Sequence, residues 1–142
     1  VEVDVETGRI YVKKVTEAGD CGTPVNPMSV DGQVEGSIMF NLGGCLYEDQ
    51  KLDKNGRHLN PNFHDYKMPT MMEMPEMDTT IVDSYDPTAP FGVKETGEGA
   101  VQPTFPAITN AIYDAIGVRF YSLPITPEMV LKALKEKRLQ QG

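Results

Sequence analysis

Apolar and polar residues alternate along several short stretches of the chain, a pattern typical of β-strands. Glu6-Thr7-Gly8 separates the first two of these stretches and predicts a hairpin turn. A further hairpin is predicted over residues 50–59, around an Asn-Gly turn, whereas the proline-containing residues 60–78 are expected to be irregular. The predicted strands are residues 1–5, 9–15, 79–85 and 118–123.

A four-residue apolar period predicts the first long helix, which Pro27 suits as a first-turn residue. Its apolar face consists of Val30, Val34, Ile38, Leu42 and Leu46. The opposite face is mostly small or polar and comprises Ser29, Gln33, Gly36, Ser37, Phe40 and Gly44. A glycine inside a helix costs about 1 kcal/mol relative to alanine. Such penalties, at Gly32, Gly36, Gly43 and Gly44, indicate close packing of a strand or the approach of a bound cofactor to the backbone and Gln33.

Two more helices are predicted in the second half of the chain. The first has an apolar stripe and ends at Gly117, a residue type favoured just after a helix. The second begins at Thr126-Pro127-Glu128 and has basic residues near its end, as the helix dipole favours. With the strands, these helices predict a single α+β unit of mixed strands and three helices over residues 1–142. The apolar stripe of the first of these two helices consists of Phe105, Ile108, Ile112, Ala115 and Ile116.

Composition narrows the possible functions. The 142 residues include 21 acidic and 13 basic side chains, and the net charge of -8 argues against nucleic acid as a partner. No apolar run approaches the roughly 20 residues of a membrane span, and residues 1–6 lack a signal-peptide core. Cys21 and Cys45 are expected to be buried thiols in a reducing cytoplasm. The chain starts inside a predicted strand, so we expect it to be part of something longer.

The main catalytic candidate is Glu98, which lies between Gly97 and Gly99 directly before a predicted helix. Glycine permits backbone conformations that let a bound group come close. The helix N-terminus favours the ionised carboxylate that a base requires, whereas burial would favour its protonated form. Lys94 is expected to pair with Glu98 or with Glu95. Local features alone leave open whether this turn is catalytic or an ordinary exposed loop.

Other chemistry-bearing residues give weaker signals. His58 and His64 lack a second pair of metal ligands and are expected to be ordinary surface histidines. Five methionines in the irregular segment could line a substrate channel or simply fill gaps in loop packing. They are Met68, Met71, Met72, Met74 and Met77. No residue is assigned as a metal ligand.

Five ordered motifs together resemble a known family. They are Asp20-Cys21-Gly22…Asn26-Pro27, Gly32-Gln33-Val34-Glu35-Gly36, Asp65-Tyr66-Lys67-Met68-Pro69, Gly92-Val93-Lys94…Gly97-Glu98 and Thr126-Pro127-Glu128. This order resembles the C-terminal part of the molybdenum-binding subunit of the xanthine oxidase family of molybdenum hydroxylases, over about residues 1–134. The fold implied for the whole chain is therefore the C-terminal portion of a molybdopterin-binding domain whose upstream part is missing.

The resemblance implies a role for each site residue. Family members hydroxylate a carbon of an aromatic heterocycle or an aldehyde, and one branch reductively dehydroxylates an aromatic thioester of coenzyme A. Glu98 would be the general base, Gln33 would hydrogen-bond the pterin, and Gly97, Gly99 and Ala100 would flank the base and admit the cofactor. Gly99-Ala100, where many relatives have proline, is similar to the hydroxybenzoyl-CoA reductase branch.

The resemblance also implies partners and a cofactor. The cofactor would be molybdopterin with molybdenum, and the cytosine dinucleotide is one candidate form of the pterin. The partners would be the remainder of the molybdenum subunit, an FAD subunit and an iron–sulfur subunit with 2Fe–2S clusters, in the cytoplasm. On this interpretation the chain holds a partial active site, is inactive alone and self-associates through uncovered apolar surface. The alternatives are a non-catalytic assembly module derived from such a subunit, or an unrelated small ligand-binding protein.

Overall fold

The computed structural model describes residues 1–82 and 84–141, which form an α+β fold with three helices, as the sequence predicts. The helices are α1 (Pro27–Leu46), α2 (Val101–Ile116) and α3 (Pro127–Gln141). The strands are β1 (Glu2–Val3), β2 (Ile10–Tyr11), β3 (Lys14–Gly19) and β4 (Glu76–Ile81). None of the helices in this described part has the length and apolar character that a membrane span requires.

The strands form two small sheets. β1 and β2 pair antiparallel, which confirms the first hairpin in a shorter form. β3 and β4 pair in parallel, from Lys14 opposite Glu76 to Gly19 opposite Ile81. The strand predicted over residues 79–85 therefore begins and ends earlier, because its register follows β3, and Asp83 lies outside the described residues. The hairpin over residues 50–59 is reduced to one bridge, between Leu52 and His58.

α1 crosses the centre of the molecule and buries the predicted apolar face. Asn26 caps its start, accepting a hydrogen bond from the backbone N–H of Ser29 at 3.2 Å. Ser37, predicted to lie on the polar face, is buried. On the apolar face of α1 all five predicted residues are buried, namely Val30, Val34, Ile38, Leu42 and Leu46.

The main core lies where α1 packs on α2, and it is closed by the segment that leads into α3. α2 ends at Gly117 in the left-handed conformation, with φ of 65°, as predicted. Ala115 is exposed, so its assignment to the apolar stripe is wrong, and Thr104 is buried on that side instead. The core residues are Ile10, Leu42, Cys45, Leu46, Ile108, Ile112, Ile116, Ile125 and Val130.

The strand predicted over residues 118–123 is wrong. This segment is irregular, although its apolar Val118 and Phe120 do pack against the core. Arg119 lies over the ring of Tyr113, 4.1 Å from its centroid, and donates to Asn110 at 2.6 Å. The alternation in residues 118–123 thus comes from Val118 and Phe120, which face the core, and Arg119, which lies on α2. The segment has no strand partner among the described residues.

Candidate functional site

An open cavity of about 550 Å³ lies between α1 and the turn that precedes α2. Gln33 and Glu98, the two leading site residues from the sequence, both line it. The helix contributes one wall, and the turn with the start of α2 contributes the other. The lining residues are Gly32, Gln33, Gly36, Ser37, Phe40, Glu98, Val101 and Gln102.

The glycines of α1 fall into two groups. A methyl group built on Gly44 would lie 3.0 Å from Phe105, and one on Gly43 would lie 3.1 Å from Pro69. Close packing therefore explains these two positions. Gly32 and Gly36 have no atom within 4 Å of such a methyl group, yet both line the cavity. Gly32 and Gly36 therefore leave this part of the α1 surface without side chains. No packing contact within the described residues requires glycine at either position.

Glu98 is exposed at the edge of the cavity, within the turn formed by residues 97–100. The Glu98 N–H donates to the Glu95 carboxylate at 3.2 Å, and the Glu98 carbonyl accepts from Val101 at 3.1 Å. α2 begins at Val101 without a side-chain cap, so the free N–H groups of its first turn lie close to the Glu98 backbone.

Lys94 does not pair with Glu98 or Glu95, and that prediction is wrong. Its ammonium lies 2.6 Å from the Asp20 carboxylate and donates to the Ser84 hydroxyl at 3.3 Å. The hydrogen bonds from Lys94 and Ser84 hold the pKa of the Asp20 carboxyl well below its ordinary value. The same ion pair raises the pKa of the Lys94 ammonium. The Lys94 ammonium therefore joins its own loop to the loop that contains Asp20.

The other predicted cofactor-binding residues lie beside the main cavity and do not line it. Gly97 has open space around its Cα. Gly99 and Ala100 line a smaller cavity of about 210 Å³ on the other side of the turn, together with Glu17 and Val34. Ala100 is buried and packs with the apolar face of α1. The turn thus separates two cavities, and only Glu98 within it borders the larger one.

Buried polar side chains connect the start of α2 to its neighbours. The Asn41 amide of α1 donates to the carbonyl of Val101, and its own oxygen has no partner among the described residues. The Thr104 hydroxyl lies 3.3 Å from the Glu17 carboxylate and 3.3 Å from the Ala100 carbonyl. Burial raises the pKa of the Glu17 carboxyl. Sequence analysis missed these residues because none belongs to a recognisable motif.

Gln102 is a further cavity residue that sequence analysis missed. It follows Glu98 by four residues, which is the spacing of neighbours on one helix face, although Glu98 itself precedes the helix. That spacing is the signal that could have identified it. Its amide offers both a donor and an acceptor beside the carboxylate.

The remaining sequence candidates are separate from this cavity. His58 and His64 are exposed, and no cluster of three or more metal-ligating side chains is present in residues 1–82 and 84–141. Cys21 and Cys45 are buried free thiols, as expected, and burial raises the pKa of Cys45 to about 11. Four of the five methionines are exposed, so loop packing does not account for them, and the substrate channel stays a prediction: Met68, Met71, Met72 and Met74.

Comparison with known proteins gives consistent matches. The family profile described as "Molybdopterin cofactor-binding domain" matches residues 1–75. The xanthine dehydrogenase molybdenum-binding subunit of Escherichia coli O157:H7 is 35% identical over 127 residues, covering 89% of this chain and 17% of that protein.

Solved structures agree with the sequence matches. Quinoline 2-oxidoreductase from Pseudomonas putida 86 superposes with a TM-score of 0.89 at 31% identity, covering 94% of this chain and 17% of that one. Aldehyde oxidoreductase from Desulfovibrio gigas superposes with a TM-score of 0.84 at 36% identity, covering 94% and 14%. The chain spans about one sixth of the length of the curated relatives it matches.

Proposed function

Because the chain belongs to the molybdopterin cofactor-binding domain family of molybdenum-dependent oxidoreductases, we propose that its cavity forms one part of a molybdenum-cofactor site. In this proposal Glu98 is the general base and Gln33 hydrogen-bonds the pterin. The single observation that supports it most is that Gln33 and Glu98, far apart in sequence, line one open cavity. A non-catalytic assembly module would require no such juxtaposition.

The cavity wall fits a large flat cofactor. Gly32 and Gly36 leave the surface of α1 bare, so a bound group can approach the backbone there without meeting a side chain. The Gln33 amide, exposed on the same wall, can both donate and accept hydrogen bonds with a polar heterocycle. Gly97, Gly99 and Ala100 would flank Glu98 and let the cofactor approach the turn.

Glu98 would act by accepting a proton at its carboxylate. Once bound, the molybdenum cofactor would supply the redox centre that exchanges electrons with the substrate. α2 begins at Val101 without a side-chain cap, three residues after Glu98. Glu98 borders the open side of the cavity, from which a substrate can reach it. The substrate class is an aromatic heterocycle, an aldehyde or an aromatic thioester of coenzyme A.

The proposal extends to the assembly. The remainder of the molybdenum subunit would complete the cofactor site, and FAD and 2Fe–2S subunits would exchange electrons with it, in the cytoplasm. The relatives are named as subunits of larger enzymes, including a dehydrogenase complex from Paenarthrobacter nicotinovorans. The cofactor would be the cytosine dinucleotide form. Residues of this chain alone would not complete the reaction.

Glu98→Gln in the assembled enzyme tests the catalytic role. The amide keeps the shape of the side chain but cannot accept the proton, so turnover should fall by about 10²- to 10⁴-fold. Molybdenum content should stay at the wild-type level, which metal analysis of the purified enzyme measures. The matched control is Glu136→Gln on α3, an exposed position away from the cavity, which should keep full turnover. Wild-type turnover in Glu98→Gln would exclude Glu98 as the base.

A further inference from the structure

Two loops that are distant in sequence join immediately before the Glu98 turn. Gly22 and Val93 form an antiparallel bridge. The Thr23 N–H donates to the Gly92 carbonyl at 3.0 Å, and the Lys94 N–H donates to the Cys21 carbonyl at 2.7 Å. A side chain at Gly22 would collide with the Gly92 carbonyl oxygen, and Gly22 has φ of 65°. The two backbone segments are therefore so close at Gly22 that only glycine fits there.

Side-chain hydrogen bonds to the Asp20 carboxylate also stabilise this junction of two loops. Both oxygens of the Asp20 carboxylate accept hydrogen bonds, Oδ2 from the Lys94 ammonium at 2.6 Å and Oδ1 from the Ser84 hydroxyl at 2.5 Å. Oδ1 also accepts from the Gly22 N–H at 3.0 Å. The side chains of Asp20 and Lys94 are 41% and 36% exposed, so solvent screens the pair only in part.

The turn itself has few long-range restraints. Its hydrogen bonds among the described residues are local and join Glu98 to Glu95 and Val101, and Ala100 to Thr104. Two of its residues are glycines, which tolerate many backbone conformations. Its placement therefore depends on the packing of Ala100 against α1 and on the elements at its two ends. The C-terminal end is the start of α2, and the N-terminal end is the junction at Lys94.

We infer that Asp20 and Lys94 are positioning residues that hold residues 95–100 so that the Glu98 carboxylate faces the cavity. The inference rests on the proposed role of Glu98 as the base. Asp20 and Lys94 belong to two of the sequence motifs, and the proposed function gives neither residue a role. This inference gives both of them one. Engaging the ammonium at Asp20 also keeps it from forming an ion pair with the Glu98 carboxylate.

Variants of the assembled enzyme test this inference. Asp20→Asn and Lys94→Met should each speed amide hydrogen exchange in the peptide covering residues 95–100, measured by mass spectrometry. The double variant should show the same increase as either single one, because each breaks the same pair. kcat should fall by about 10- to 100-fold, as expected for a misplaced catalytic group, with KM and molybdenum content unchanged. Lys94→Arg should restore most of kcat, since its guanidinium also pairs with carboxylates.

Lys14→Met is the matched control. It breaks another exposed pair, between Lys14 and Glu76 at 2.9 Å, on strands β3 and β4. If Asp20→Asn and Lys94→Met leave exchange of residues 95–100 at the level of this control, the inference is wrong. A kcat loss matched by an equal loss of molybdenum would also overturn it. Exchange is independent of chemistry, so an active Glu98→Gln enzyme would refute the proposed base without deciding the role of the junction.

Discussion

Gln33 offers the most direct residue-scale test of cofactor binding. Its amide is exposed on the bare wall of the cavity, between the glycines at positions 32 and 36. Gln33→Ala removes the hydrogen-bonding group but keeps helix propensity, so α1 should fold normally. In the assembled enzyme we expect molybdenum and pterin content to fall several-fold, as measured by metal analysis and by fluorescence of the released pterin.

The control for this experiment is Gln140→Ala, an exposed glutamine of α3 far from the cavity in sequence. It should keep full cofactor content. Equal cofactor content in Gln33→Ala and Gln140→Ala would assign Gln33 a purely structural role. The cavity would then need another hydrogen-bonding group, and Gln102 is the candidate that lines it.

Glu17 should make the stability of the chain depend on pH. Burial raises the pKa of this carboxyl, so the folded chain binds a proton more tightly than the unfolded chain. Stability is then greatest below the unfolded pKa of about 4.3 and is lost as pH rises through the folded pKa. Glu17→Gln does not titrate and keeps an acceptor for the Thr104 hydroxyl. We expect its advantage in unfolding free energy over wild type to grow between pH 4 and pH 7.

Urea unfolding of both proteins across that pH range measures the difference. Glu136→Gln, at an exposed position, serves as the control for removing one negative charge. A constant difference between Glu17→Gln and wild type at all pH values would show that Glu17 has the same proton affinity in the folded and unfolded chains.

The cavity residues Glu98 and Gln33 could be identified from contiguous motifs, whereas contacts between distant segments could not be predicted. Glu98 and Gln33 were placed by their sequence neighbours, and the structure brings them to one cavity. The partner of Lys94 could not be predicted, because Asp20 reaches it only through the junction of two loops. Glu17 lies at an alternating strand position with nothing in the sequence to show that α2 covers it.

At the scale of elements, α1 combines a packing surface with a proposed binding surface. Gly36→Ala should stabilise the chain by about 1 kcal/mol, since alanine has the higher helix propensity and nothing lies within 4 Å of the new methyl group. Gly44→Ala places its methyl group 3.0 Å from Phe105, so overpacking should cancel the gain. Thermal and urea unfolding measure both changes.

The same two variants separate packing from binding in the assembled enzyme. Gly36→Ala puts a methyl group into the proposed cofactor wall and should lower molybdenum content despite its greater stability. Gly44→Ala lies outside the cavity and should leave the molybdenum content of the folded enzyme unchanged. If Gly36→Ala retains full cofactor content, the bare surface of α1 is not the cofactor contact.

Helices were more predictable than strands because their signals are local. The four-residue period and the terminal residues placed α1 and α2 within the chain. β4 was displaced because its bounds follow its pairing with β3, a contact between distant segments. Residues 118–123 show strand-like alternation, but helix packing and an arginine–tyrosine contact produce it here.

At the scale of the whole molecule, exposed aromatic and apolar side chains are unusually prominent. Several large ones are more than 80% exposed: Phe63, Met72, Phe91 and Tyr121. Phe40, on the cavity wall, is 67% exposed. Scattered apolar residues on a protein surface are ordinary, whereas exposed apolar residues that lie together in one patch mark interaction surfaces. The relatives are about six times longer than this chain.

We expect the isolated chain to self-associate through these exposed apolar side chains. Sedimentation velocity of the isolated chain should show a weight-average mass that rises with concentration above the 15.7 kDa monomer. Replacing Phe63 and Tyr121 with lysine should reduce this association, because each removes a large exposed apolar side chain and adds charge. Lysine at Gln140 is the control for added charge alone. A monomer at all concentrations would mean that these side chains need no partner, and the chain would then be a self-sufficient unit.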